Sequence, residues 1–288
     1  MRKIMIAIPL LAALWGICRW NARRFMPEPT ALGPEKHKVK VRKFPIDTNG
    51  KHIYGELLLP DGKEGKLPMV ICCHGYGSSY NLTKSAMGKS LAMSGYAVYC
   101  FDFCGGRKRP KSSGAFHDMT IFKEKEDLLA VIDTIKELDI VDKERLFLLG
   151  ESQGGMISAI TAVERAGDIK AMVLYYPAFC IPDDAHRKFS SKEEIPDEVK
   201  AFTLMIGGDY YRSVWDFDVF GYIGGYKGPV LIMHGDKDAM VDIRYGKKGA
   251  ESYENAEFVT FPGEIHGFYG KGKAKAVQMS YDFFERVH

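Results

Sequence analysis

The sequence predicts an α/β fold: a mostly parallel sheet with helices on both faces. Three observations predict it. Short uninterrupted apolar runs, such as Leu67 to Cys73 and Tyr96 to Phe101, read as strands buried on both sides. Stretches of helical spacing alternate with them, the pattern of parallel strands joined by crossover helices. The most reactive side chains fall just after strands, where such a sheet gathers its chemistry.

Each element follows in order. Val39, Val41 and Phe44 among basic residues form an edge strand, Asn49-Gly50 a hairpin turn, and His52 to Leu59 the returning strand. Leu67 to Cys73 runs into His74-Gly75-Tyr76-Gly77, and a helix spans about Thr83 to Ser94. Tyr96 to Phe101 is followed by a Gly-, Lys- and Arg-rich loop, Asp102 to Gly114. Between Asp118 and Leu138, Ile121, Leu128, Leu129, Ile132 and Ile135 share one helical face. Further strands are read at Arg145 to Leu149, Ala171 to Tyr176, Val230 to His234 and Phe258 to Phe261, and further helices at Met156 to Val163, Val241 to Tyr253 and Lys273 to Val287. The segment Phe179 to Lys227 breaks the alternation; rich in aromatics, it reads as a cap at the active end of the sheet, its aromatics mostly the cap's own core.

At 288 residues, with 46% hydrophobic and 27% charged residues, the chain has the composition of an ordinary globular protein. A net charge of +3, with no basic stripe interleaved with aromatics, excludes a nucleic-acid partner. Six cysteines without a C-x-x-C pair read as buried free thiols, not a zinc site, which points to a reducing or anaerobic setting. At the N-terminus, Ile4 to Cys18 is apolar and flanked by Arg2-Lys3 and by Arg19, Arg23 and Arg24. Residues 1–25 are therefore expected to be an anchor or signal segment, 26–37 a Pro- and Gly-containing linker, and 38–288 the α/β domain with its cap at about 179–227. An uncleaved helix through residues 4–18 would make the protein membrane-anchored; the alternatives are secretion after cleavage, or a helix packed on a cytoplasmic protein.

The chemistry centres on Gly150-Glu151-Ser152-Gln153-Gly154-Gly155, between a strand and a helix. A Ser on so sharp a turn needs small residues two places away on each side, which gives G-x-S-x-G. A Ser hydroxyl attacks only when a base takes its proton and an acid orients that base. The chain order Ser, acid, His then selects Asp238, with Asp236 second and Asp242 third, and His266 as the base. His74 and His234 end strands ahead of glycines and read as loop braces. The main-chain N–H groups of Gln153 and Tyr76 are the expected oxyanion donors, with Gly75 and Gly77 letting the backbone approach. This chemistry calls for no metal or cofactor.

These residues, with Phe101-Asp102-Phe103, Gly228-Pro229-Val230 and His266-Gly267-Phe268, make the chain resemble the α/β-hydrolases, and more narrowly the bacterial cinnamoyl (feruloyl) esterases. The resemblance runs from about Lys66 to the C-terminus. It implies a triad of Ser152, Asp238 and His266, oxyanion donors at Tyr76 and Gln153, and a small-molecule ester as substrate. Two departures stand out: Glu151 replaces the family's usual His before the nucleophile, and the loop Cys104 to Lys111 is unusually basic, which fits either an anionic substrate or a solvated loop. The expected function is cleavage of carboxylic esters of small or aromatic acyl groups. The alternatives are a serine peptidase of the prolyl-oligopeptidase type and a non-catalytic membrane-tethered binding module.

Overall fold

The computed structural model describes residues 26–201 and 204–287. Strand β1 (Val39–Lys43) precedes a small hairpin of β2 (Ile46–Thr48) and β3 (Lys51–Ile53), and β4 (Gly55–Pro60) follows. The hairpin turns at Asn49-Gly50, with φ of 49° and 73°, the left-handed pair that a tight two-residue connection requires. The expected returning strand is thus two elements. β3 closes the hairpin, while β4 leaves it and pairs antiparallel with both β1 and β6 (Ala97–Phe101).

The remaining strands are β5 (Leu67–Cys73), β7 (Val141–Glu151), β8 (Ala171–Tyr175), the separate pair β9 (Glu198–Ala201) and β10 (Leu204–Gly207), then β11 (Val230–Gly235) and β12 (Ala256–Phe261). The main sheet has eight strands in the order β1-β4-β6-β5-β7-β8-β11-β12. Every neighbouring pair from β6 to β12 is parallel. In β5, Met69, Ile71 and Cys73 enter one core and Val70 and Cys72 the other, the alternation of a strand covered on both faces.

The first crossover is α1 (Tyr80–Thr83), a π-helical turn (Lys84–Gly88) and α2 (Lys89–Met93). It starts before the expected Thr83, because Asp102 accepts the Tyr80 N–H at 2.8 Å and supplies the start signal from another loop. Helix α3 (Ile121–Ile135) is capped by the Thr120 hydroxyl and buries Leu128, Val131, Ile132 and Ile135. Helix α4 (Gln153–Glu164) follows β7 after one residue. Between β8 and β11 lie α5 (Ile181–Lys188), the β9–β10 pair, α6 (Asp209–Arg212) and α7 (Val219–Ile223). Phe179, Tyr210, Tyr211 and Tyr226 of this connection are buried; Phe202 lies outside the described residues. Helices α8 (Ile243–Ser252) and α9 (Gly270–Val287) complete the chain.

Residues 26–37 have neither helix nor strand. They lie across α2 and α9: the Thr30 N–H donates to Ser90 Oγ at 3.1 Å, the Leu32 N–H to Ser94 Oγ at 2.8 Å, and Gln278 Nε2 to the Leu32 carbonyl at 2.9 Å.

The apolar run Ile4 to Cys18, where an N-terminal helix was expected, lies outside the described residues. Among the described residues no helix is long and apolar enough to cross a membrane. The expectation of a membrane-anchored protein with a transmembrane helix is therefore corrected. The longest described helix, α9, has 18 residues, but it buries Val277, Phe283 and Phe284 while exposing Lys271, Lys275 and Asp282, the two-faced pattern of a helix packed on a protein core. Among the described residues Cys72, Cys73, Cys100, Cys104 and Cys180 are free thiols, all buried except Cys104.

Candidate active site

Ser152 alone makes the turn from β7 to α4. Its φ of 53° and ψ of −118° lie in a left-handed region that side chains avoid. Hydrogen bonds hold it there. The Ser152 N–H donates to the Tyr175 carbonyl at 2.9 Å, and its own carbonyl accepts the N–H groups of Gly155 and Ala178, each at 2.9 Å. The flanking glycines are a steric requirement. A Cβ on Gly150 would sit 2.5 Å from the Gly154 carbonyl oxygen, and one on Gly154 2.4 Å from that of Cys73. Gly75 faces the same turn: its Cβ would lie 3.1 Å from that of Ser152.

The imidazole of His266 spans the other two expected groups. Nε2 lies 3.1 Å from Ser152 Oγ and Nδ1 2.7 Å from Asp238 Oδ2. With Nδ1 donating to the carboxylate, Nε2 is left to accept the hydroxyl proton. Asp238 is itself held from behind. Its Oδ1 accepts the N–H groups of Met240 and Val241, each at 2.9 Å, and Oδ2 lies 3.3 Å from His234 Nε2. Burial works to raise its proton affinity, but hydrogen bonds from His234 and His266 and the Val241 N–H outweigh it. The carboxyl is held well below the usual carboxylate range and stays ionised. The other two candidate acids have other partners: Asp236 accepts the Gly263 N–H at 2.7 Å, and Asp242 caps α8 through the Arg244 N–H at 2.9 Å.

Gln153 is the first residue of α4, so no carbonyl lies one helical turn behind its N–H. Its side chain is fixed at both ends: Nε2 donates to Glu124 Oε2 at 2.6 Å, and Oε1 accepts the Tyr210 hydroxyl at 2.7 Å. Glu124 is buried, and burial pushes its carboxyl well above the ordinary range. Tyr76 sits in the loop after β5 with its ring edge-on to Phe116 and Tyr210, at centroid distances of 5.3 and 5.9 Å.

A cavity of about 340 Å³ opens over these groups. Ser152, His266, Tyr76 and Gln153 line it, and its walls are largely apolar, among them Leu82, Ile181, Met240, Val241 and Ile265. Met26 lines it as well. No residue of the basic loop Cys104 to Lys111 lines it. Lys111 instead donates to the Tyr80 hydroxyl at 2.6 Å and lies 4.1 Å over the Tyr54 ring.

Sequence reasoning missed several neighbours. Tyr176 lines the cavity with φ of 38°, its ring 4.6 Å from that of His266. Lys273 is fully buried and paired with Glu151. In sequence Lys273 lies in Lys271-Gly272-Lys273-Ala274-Lys275, which looks like a solvated run. The available signal was helical phase, since Lys273 lies three and four residues before Ala276 and Val277, both buried. His74 and His234 do brace loops, as expected: His74 Nε2 accepts the Phe103 N–H at 3.2 Å, and His234 Nε2 donates to the Val241 carbonyl at 2.9 Å.

Comparison with known proteins adds four likenesses. A family model described as serine aminopeptidase, S33, matches residues 66–201. The solved structure of Est1E from Butyrivibrio proteoclasticus with ferulic acid bound superposes with a TM-score of 0.76 at 29% identity, covering 85% of this chain and 98% of that one. Among curated sequences, the uncharacterized peptidase YtmA of Bacillus subtilis is 21% identical over 215 residues, 74% of this chain and 78% of its own. Monoglyceride lipase of Homo sapiens is 25% identical over 162 residues, 53% of this chain and 48% of its own.

Proposed function

This chain is an α/β-hydrolase that resembles the cinnamoyl esterases, and from that premise we propose that it is a serine hydrolase cleaving carboxylic esters through an acyl-enzyme. The supporting observation is the hydrogen-bonded series Ser152–His266–Asp238 at the floor of a largely apolar cavity. Ser152 Oγ attacks the ester carbonyl carbon while its proton passes to His266 Nε2. The Gln153 and Tyr76 main-chain N–H groups receive the oxyanion. Collapse breaks the bond to the alcohol oxygen, which takes the proton from His266. Water, deprotonated by the same imidazole, then attacks the acyl-enzyme and releases the acid. Asp238 holds the imidazole tautomer throughout.

The 179–227 connection acts as the cap, and the acyl group lies against Tyr76, Tyr210 and Tyr211, which favours small or aromatic, cinnamoyl-type acids. Est1E supports this class, since its structure holds ferulic acid. Amide cleavage is the competing reading, supported by the peptidase descriptions of the family model and of YtmA. Purified protein is expected to hydrolyse p-nitrophenyl butyrate and methyl ferulate faster than aminoacyl amides. Ser152→Ala should lose activity by on the order of a thousand-fold or more. Turnover unchanged in that variant removes the mechanism, and amides outrunning esters reverses the choice of bond.

A further inference from the structure

Glu151 and Lys273 take no part in the chemistry above, yet both lie beside it. Glu151 immediately precedes the nucleophile and lines the cavity. Its Oε1 is paired with Lys273 Nζ, from the first turn of α9, whose side chain is 0% exposed. The same oxygen accepts the Tyr176 hydroxyl at 2.7 Å, and Lys273 Nζ lies 3.5 Å from that hydroxyl and 4.9 Å over the Tyr175 ring. Tyr176 is pinned at its other end by its N–H, which donates to the Met233 carbonyl at 2.7 Å. The Tyr176 ring then forms a wall against the His266 imidazole at 4.6 Å, with Phe268 edge-on behind it at 4.9 Å.

A buried ion pair is a poor means of stabilising a fold, because desolvation consumes most of its attraction and an apolar pair of equal volume does as well. Its placement matters more. Three elements, β7, the end of β8 and α9, converge on one carboxylate directly behind the wall that supports the general base. We infer that the Glu151–Lys273 pair is a positioning device for His266: it fixes the Tyr176 ring against the imidazole, and Lys273 cancels a carboxylate charge that would otherwise act on it. This rests on the assignment of Ser152, His266 and Asp238 as the reacting groups.

Burial first, and then the Glu151 carboxylate, hold the Tyr176 phenol well above its ordinary value, so it remains a donor to Glu151. The groups around His266 are therefore Asp238 with His234 behind it on one side, and Tyr176, Glu151 and Lys273 on the other. Lys237, Glu264 and Tyr269 stand on the adjoining loops. Removing one member of the buried pair leaves a single charge near the imidazole; removing both leaves none.

The test follows the pH dependence of Ser152 labelling by a fluorophosphonate probe. In that reaction the Oγ–P bond forms, the P–F bond breaks with loss of fluoride, and His266 takes the hydroxyl proton, whatever ester the enzyme prefers. Lys273→Met is expected to move the acid limb of the rate profile up, and Glu151→Gln to move it down, each by about one pH unit. The double variant should return close to the wild-type limb. Tyr176→Phe should label severalfold more slowly with its limb unmoved and probe affinity unchanged. A merely structural pair would lower melting temperatures without moving the limbs, so limbs of both single variants coinciding with wild type overturn the inference. If Lys273→Met does not fold, Glu151→Gln and the double variant decide on the same criterion. Wild-type protein that is folded but does not label at Ser152 removes the functional reading itself, a distinguishable failure.

Discussion

Glu124 shows how much one side chain behind the site carries. Its carboxyl accepts from Gln153 while sealed from water, and burial raises its proton affinity well above the ordinary range. The sign follows from linkage. The folded state holds this proton to higher pH than the unfolded chain, so the stabilisation is complete below about pH 4.3, the unfolded value, and is lost as pH rises through the folded one. Glu124→Gln keeps an acceptor for Gln153 and cannot ionise. Its stability relative to wild type should therefore rise between pH 5 and pH 8, by about 1.4 kcal/mol per pH unit over the part of that range lying between the two values, with the melting temperature following. Thermal melts across that range provide the check, and a constant difference would sink the argument. Asp238 has the opposite sign: its depressed carboxyl stabilises the fold at neutral pH, and that contribution is lost as pH falls below about 4. In the sequence Glu124 was indistinguishable from its neighbours in Glu124-Lys125-Glu126-Asp127, because the run is uniformly charged and only the helix's docking decides which acids face inward.

The elbow is the element on which the site depends, and glycine replacement tests it. At Gly154 a Cβ would meet two backbone oxygens, those of Cys73 at 2.4 Å and His74 at 2.5 Å, neither of which can swing aside. At Gly167, in the turn after α4, a Cβ would meet nothing within 4 Å. Gly154→Ala should therefore cost about 3 kcal/mol or more, and Gly167→Ala less than about 0.5 kcal/mol. Urea midpoints of the two variants measure the contrast, and equal midpoints would show that the crossing of strand and helix does not need a glycine at position 154. This element was legible in the sequence because its cause is local: strand, small residue, Ser, small residue, helix. The buried strands were legible for the same reason. The split of the second strand into β3 and β4 was not, since it depends on which partner each half meets. Nor were β9, β10, α6 and α7, each five residues or fewer and defined by their packing on neighbouring elements: α6 on α5, α7 on α4 and α8, and β10 on β9 and the Phe116–Asp118 turn.

At the scale of the molecule, residues 26–37 join parts that the sequence keeps far apart. Pro27, Pro29, Gly33 and Pro34 show only that no helix or strand forms there; they carry no trace of the surfaces on α2 and α9 that the segment meets. Those contacts run to Ser90, Ser94 and Gln278, and Leu32 packs into the core on that face of the sheet. The strap runs from Met26, which lines the cavity, to His37, whose N–H donates to the Met93 carbonyl at 2.9 Å. Its anchoring therefore ties the stability of the α2–α9 face to the shape of the cavity wall. Leu32→Asp places a carboxylate on an apolar surface while leaving the reacting groups untouched, and should cost about 2 kcal/mol of buried apolar area. Two readouts are expected together: a melting temperature lower by several degrees, and protease cleavage within residues 27–37 that the wild-type protein resists. Because Met26 lines the cavity and has no part in the proton transfers, KM for an ester should rise while kcat holds. A variant that melts and resists protease like the wild type would mean that the strap contributes nothing to the folded state, and that the cavity is shaped by the sheet loops and the 179–227 connection alone.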